Sequence, residues 1–168
     1  MQDEIVNKVA QSKLITFNLE DYYPKGDRMV LDIKDWLFEG FILKEKEFRA
    51  FVEEHDWSQY EGAYVAMHCS TDAIVPGWAY ILLSVKLSGI AKKIIQGSLV
   101  DLETSIYQSI IEQLDISEYQ DKLIIIKGCS KKPVPANAYL FLAERLKQVA
   151  RSIMYGEACS SVPLYKRK

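Results

Sequence analysis

Lys122-Leu123-Ile124-Ile125-Ile126-Lys127-Gly128-Cys129-Ser130 is the stretch that decides the fold. Four consecutive apolar residues, bounded by lysines and closed by a glycine, read as a short strand buried on both faces. That is the pattern of a parallel sheet. Downstream, residues 135–150 predict a helix with Pro135 near its first turn, and residues 152–157 a last strand running towards Cys159. Upstream, the apolar spacing Leu99, Leu102, Ile106, Ile110 and Leu114 predicts an amphipathic helix. Ser98 and Asp101 stand at capping-box spacing at its start, with Asp in place of the usual Glu.

Further upstream the same alternation continues. Residues 92–96 read as a strand, 74–89 as a helix, and 63–68 as a strand ending at Cys69. Residues 44–55 read as a helix with Phe48, Phe51, Val52 and His55 on one face. Residues 29–37 alternate like a strand, which Glu39-Gly40 turns into a hairpin partner at 41–43. Residues 14–19 are strand-like, and residues 3–11 read as a short helix with Ile5 and Val9 on one side. Alternating strands and helices predict a three-layer αβα fold with a mostly parallel central sheet. The N-terminal helix and hairpin-like strands would extend it. At 168 residues, a single domain over residues 1–168 is the expectation.

The composition, 49% hydrophobic and 26% charged with net charge −2, suits a globular protein and argues against nucleic-acid binding. Met-Gln-Asp-Glu at the start lacks the basic and apolar blocks of a signal peptide, and no apolar run approaches membrane length. A cytoplasmic protein without a membrane role is expected.

Chemistry points to the cysteines. Cys69, Cys129 and Cys159 are each followed by serine, as Ser70, Ser130 and Ser160, and two extend to Cys-Ser-x-x-Pro. In a parallel sheet all strand carboxyl ends share one edge, where ligands of open α/β folds bind. The three thiols would then meet. Three thiolates suit zinc, or an iron–sulfur cluster, with His68, Ser70, Ser130 or Ser160 as a further ligand or supporting group. Thiol-based redox or sulfur-transfer catalysis is a second reading, because Cys69 precedes a helix and Cys129 lies among Lys127, Lys131 and Lys132. The third is a small-ligand or partner-binding domain with structural cysteines, in which Tyr22, Tyr23 and Trp57 would make a homodimer face. His68 and Cys69, adjacent on a strand, would face apart, which argues against a direct dyad. Asp32, Asp35 and Glu39 read as solvent-facing. Dinucleotide, P-loop and esterase glycine patterns are absent, and Val75 stands where a cysteine phosphatase needs arginine.

Three blocks carry a family resemblance: Ile33-Lys34-Asp35-Trp36-Leu37-Phe38-Glu39-Gly40, Lys127-Gly128-Cys129-Ser130, and Met154-Tyr155-Gly156-Glu157-Ala158-Cys159-Ser160-Ser161-Val162-Pro163-Leu164-Tyr165-Lys166. Together they resemble the bacterial domain of unknown function 2480 family over essentially the whole chain. Ala158 departs from the proline expected in the last block. The resemblance implies no established activity; it implies cytoplasmic proteins of about this length, with iron–sulfur assembly proteins as partners.

Overall fold

In the computed structural model the described residues are 14–128 and 131–168. The helix expected over residues 3–11 lies outside them. The chain is a mixed α/β protein whose strands are mostly parallel. Its elements are β1 (Leu14–Phe17), β2 (Arg28–Asp32), α1 (Glu45–Glu54), β3 (Tyr64–His68), α2 (Gly77–Leu87), β4 (Lys93–Gln96), α3 (Leu99–Gln113), β5 (Leu123–Ile126), α4 (Ala136–Lys147), β6 (Ser152–Glu157) and β7 (Ser160–Lys166). The strands form two sheets rather than the single central sheet expected. One has the order β2-β3-β4, all parallel. The other has the order β1-β5-β6-β7, with β7 antiparallel at its edge. Apolar runs mark strands, but pairing is decided by tertiary packing, which a run does not encode.

Two local expectations change. Residues 29–37 do not form a hairpin with 41–43: β2 stops at Asp32, a 3₁₀ turn follows at Lys34–Trp36, and only an isolated Phe38–Ile42 bridge remains. β6 is not the last strand, because the chain turns at Ala158-Cys159 and returns as β7. The capping box is present: Ser98 N–H and Oγ both donate to Asp101 Oδ2 (2.8 and 2.7 Å), and Asp101 N–H donates to Ser98 Oγ (3.2 Å).

The chain divides into two compact units. Pro24–Ile106 is inserted within the other, which comprises the segments Met1–Tyr23 and Tyr107–Lys168; the boundary falls inside α3. We call them the inserted and the split unit. Each has its own core, around Phe48, Val52, Val65 and Leu83 in the first and Tyr107, Ile111, Ile124 and Leu142 in the second.

The two units carry the same module. Between residues 45 and 97, about a quarter of positions are identical to those 59 further on, against about one in seventeen by chance. Asp56, Ser58 and Tyr60 match Asp115, Ser117 and Tyr119; Val75-Pro76, Ala79-Tyr80, Leu83, Leu87 and Ala91 match Val134-Pro135, Ala138-Tyr139, Leu142, Leu146 and Ala150. The geometry follows. Arg28, Tyr64 and Lys93 are level across one sheet, and Leu14, Leu123 and Ser152 across the other. Asp56 and Asp115 each accept from the N–H two residues on. Asp32 and Asn18, closing β2 and β1, do the same. Gly62 (φ 67°) and Asp121 (φ 56°) hold the same left-handed turn, donating to Ile90 O and Val149 O at 2.9 Å each. Burial pushes the equivalent Tyr60 and Tyr119 phenols up.

Candidate functional site

Each parallel sheet has a carboxyl edge, where strands hand over to helices. In the inserted unit this edge is built by the ends of β2, β3 and β4. Asp32 and His68 are level across β2 and β3, so their side chains share a face. Asp32 Oδ1 accepts from the N–H of Ser70 and of Lys34, both at 3.1 Å, and Oδ2 lies 3.8 Å from His68 Nε2. Burial alone would raise the Asp32 carboxyl; hydrogen bonds from Ser70 and Lys34, with His68 nearby, outweigh it and hold it below its ordinary value.

Cys69 follows the last residue of β3. It is half-buried against the core, with Sγ 3.2 Å from Thr71 Oγ1. Thr71 has one hydroxyl proton, and gives it to Gly40 O at 2.6 Å. The sulfur is therefore the donor of its contact, as a thiol. The buried phenol of Tyr80 on α2 is pushed up by burial first, and then by Cys69 and Asp32.

The split unit's edge is different. Asn18 takes the place of Asp32 and Lys127 that of His68. Gly128 is an extra residue between strand and Cys-Ser, which is why Cys69 and Cys129 are sixty apart rather than fifty-nine. Tyr155 of β6, level with Ile126 at the end of β5 and standing where the inserted unit has Gln96, lays its ring over Gly128: a Cβ there would meet Tyr155 Cζ at 2.8 Å. Tyr155 Oη donates to Gly128 O at 3.4 Å, and its ring meets Tyr139 of α4 edge-on at 5.9 Å. Glu20, in the 3₁₀ turn after β1, accepts from the N–H of Lys131 and of Lys132, and Lys132 Nζ donates back to Glu20 O at 3.3 Å. These groups frame an open cavity of about 560 Å³, lined by Gly128, Lys132, Pro133, Val134, Ala136, Tyr139 and Tyr155.

The sequence-predicted residues divide accordingly. Cys69, His68 and Ser70 belong to the inserted unit's sheet, and Cys159 and Ser160 to the split unit's, so the single sheet edge expected to gather them is absent. Cys159 sits exposed at the β6–β7 turn, and Ser160 opens β7 opposite Glu157. Cys129 and Ser130 lie outside the described residues. Among the described residues, no three His, Cys, Asp or Glu side chains are placed to share a metal ion. A zinc or iron–sulfur centre needs three or four converging donors, and the described donors do not supply them. Tyr22 stacks on Phe17 at 5.1 Å and Trp57 donates to Val52 O at 2.9 Å, and Tyr22, Tyr23 and Trp57 are half-buried rather than fully exposed. Tyr139, Tyr155 and Lys132 are not among the residues the sequence singles out as a site: Tyr139 repeats Tyr80 at the 59-residue spacing, whereas Tyr155 and Lys132 replace Gln96 and Ala73, so the self-similarity does not find them.

A family model described as protein of unknown function (DUF2480) matches residues 3–167. No curated protein and no solved structure matches the chain. Among the described residues, no helix is long and apolar enough to cross a membrane.

Proposed function

We propose that this chain, which belongs to the DUF2480 family, is a cytoplasmic binding protein for a small ring-bearing anion, held at the carboxyl edge of the split unit. The observation that carries the reading is Tyr155 over Gly128. The inserted unit folds the same module with Gln96 and without the extra glycine. Packing therefore does not demand an exposed aromatic ring above the strand end, and a ligand does. The volume of about 560 Å³ suits a small molecule. Tyr139 and Tyr155 offer ring contacts. The Lys132 ammonium and the first turn of α4 favour negative charge.

Of the three expectations, this supports the ligand-binding one with structural cysteines. Cys69 donates to Thr71 and packs against the core, and Cys159 is an exposed turn residue. The test is calorimetry with 4-hydroxybenzoate and AMP as ring-bearing anions, adenosine as a neutral ring and inorganic phosphate as a ringless anion. The ring-bearing anions should bind, adenosine and phosphate at least tenfold more weakly. Tyr155→Ala and Lys132→Ala should each lose about tenfold, some 1.4 kcal/mol. Equal binding to Tyr155→Ala would refute the site. Stoichiometric iron with visible absorbance after anaerobic purification, lost in Cys→Ser variants, would support the cluster reading instead.

A further inference from the structure

We infer that the outer face of α2 is a self-association surface through which two copies of this chain form a two-fold dimer. A helix at a protein surface normally shows one apolar stripe and one polar face. α2 buries Ala79, Tyr80, Leu83 and Leu87 on one side, and on the other it exposes Ile81 (66%) and Val85 (66%). Its one charged residue, Lys86, is bound to Glu53 of α1 at 2.8 Å. Ile74, in the loop entering α2, is 92% exposed. The Thr71–Gly40 hydrogen bond ties a second loop, with Phe41 58% and Ile42 52% exposed, to the loop that enters α2.

The molecule holds its own control. α4 occupies the equivalent place in the split unit and buries the equivalent Ala138, Leu142 and Leu146. Where α2 has Val85 and, just past its end, Ser88, however, α4 has Glu144 and Lys147; Ile81 is matched by an exposed apolar residue, Leu140. The module therefore folds with a charged outer face, and the apolar one on α2 is not a requirement of folding.

Area and charge identify the occupant as a second copy. The five exposed side chains present on the order of 600 Å² of apolar surface, at the top of what monomers show and near the ~800 Å² per partner of a standard interface. Across a two-fold axis the same patch meets itself, residue i against j and j against i, so a face of one charge sign repels itself and a neutral one does not. α2 brings no unpaired charge to such an axis, whereas a charged partner would find no complement there. Ser84 and Ser88, small residues one turn apart, allow the two helices to approach closely.

Light scattering behind size exclusion, over a hundredfold range of loading, tests this. The wild type should run at twice 19.3 kDa at the upper loadings. Val85→Glu, which installs the residue α4 already carries, should run at 19.3 kDa with unchanged circular dichroism and melting. Ile81→Lys is the second variant should Val85→Glu alter the fold, and should dissociate the dimer likewise. Leu140→Glu on α4 should leave the dimer intact. A wild type monomeric at every loading, a dimer that survives both α2 variants, or a dimer lost in Leu140→Glu would each overturn the inference.

Discussion

Replacing Gly62 by alanine tests whether the two units share one backbone. Gly62 has φ 67°, in the left-handed region, and a Cβ built there meets nothing within 4 Å. The penalty is therefore conformational alone. A left-handed residue with a Cβ costs about 1–2 kcal/mol, and loss of glycine's freedom in the unfolded chain returns about 0.4–1 kcal/mol. The net loss is about 1 kcal/mol. Aspartate tolerates this region better than alanine, and Asp121 holds the matching turn at φ 56°. Gly62→Asp should therefore lose about half as much. In the reverse exchange, Asp121→Gly trades relief of the left-handed penalty against glycine's entropy. It also gives up an exposed 3.7 Å contact with Arg167, which adds almost nothing. Its stability should change by less than about 0.5 kcal/mol. The assay is equilibrium unfolding in urea. All three tryptophans (Trp36, Trp57 and Trp78) lie in the inserted unit, so their fluorescence follows the unit of Gly62, while far-ultraviolet dichroism reports both units and the part of its transition that fluorescence does not show follows Asp121. A loss above about 3 kcal/mol in Gly62→Ala, or a severely destabilised Asp121→Gly, would refute the equivalence of the two turns.

Asp32→Asn should lose less than about 1 kcal/mol, because Asn18 already makes the same cap, whereas Asp32→Ala should lose about 1–2 kcal/mol. Since the Asp32 carboxyl is depressed in the fold, its contribution is present above about pH 4 and is lost as pH falls through the folded value. Urea unfolding at neutral and acid pH should show that component in wild type and not in Asp32→Asn. His55 is held below its ordinary value by burial, partly offset by Asp56. The unfolded chain then takes the proton first, so stability is full above about pH 6.5 and declines below it. In His55→Leu, the residue that Leu114 supplies in the other unit, the denaturant midpoint should lose that slope. The buried Arg28–Glu103 pair is held by 2.7 and 3.3 Å hydrogen bonds. Glu103→Ala should cost about 1–3 kcal/mol, because the guanidinium loses its carboxylate but keeps the carbonyls of Pro24 and Gly26, at 2.8 and 2.6 Å, as acceptors; urea unfolding followed by tryptophan fluorescence measures it.

The strand–helix alternation was legible because its signals are local. Leu-Ile-Ile-Ile in β5, the apolar spacing of α3 and the Ser98–Asp101 cap each act within a few residues. The partition into two sheets was not, since β3 and β5 are comparable apolar runs and nothing local tells them to pair with different partners. β7 was hidden for another reason: the Ala158-Cys159 turn lacks the Asn-Gly or Asp-Gly of a two-residue hairpin, and Pro163 speaks against a strand except at an edge. The cysteines drew attention as the repeated residue, yet they break the repeat's frame by one, at Gly128. The frame itself was readable in Val-Pro-x-x-Ala-Tyr, at Val75 and again at Val134. Tyr155 followed from neither pattern, because its role rests on a glycine twenty-seven residues earlier.

Whether the split unit's edge holds a ligand is decided by amide chemical-shift mapping of the isotope-labelled full chain titrated with 4-hydroxybenzoate. A ligand held there gives saturable shifts gathered at Gly128, Val134, Ala136, Tyr139 and Tyr155, the residues around the cavity. Shifts centred instead on Asp32, His68 and Ser70, or none at a large excess of the anion, would contradict it.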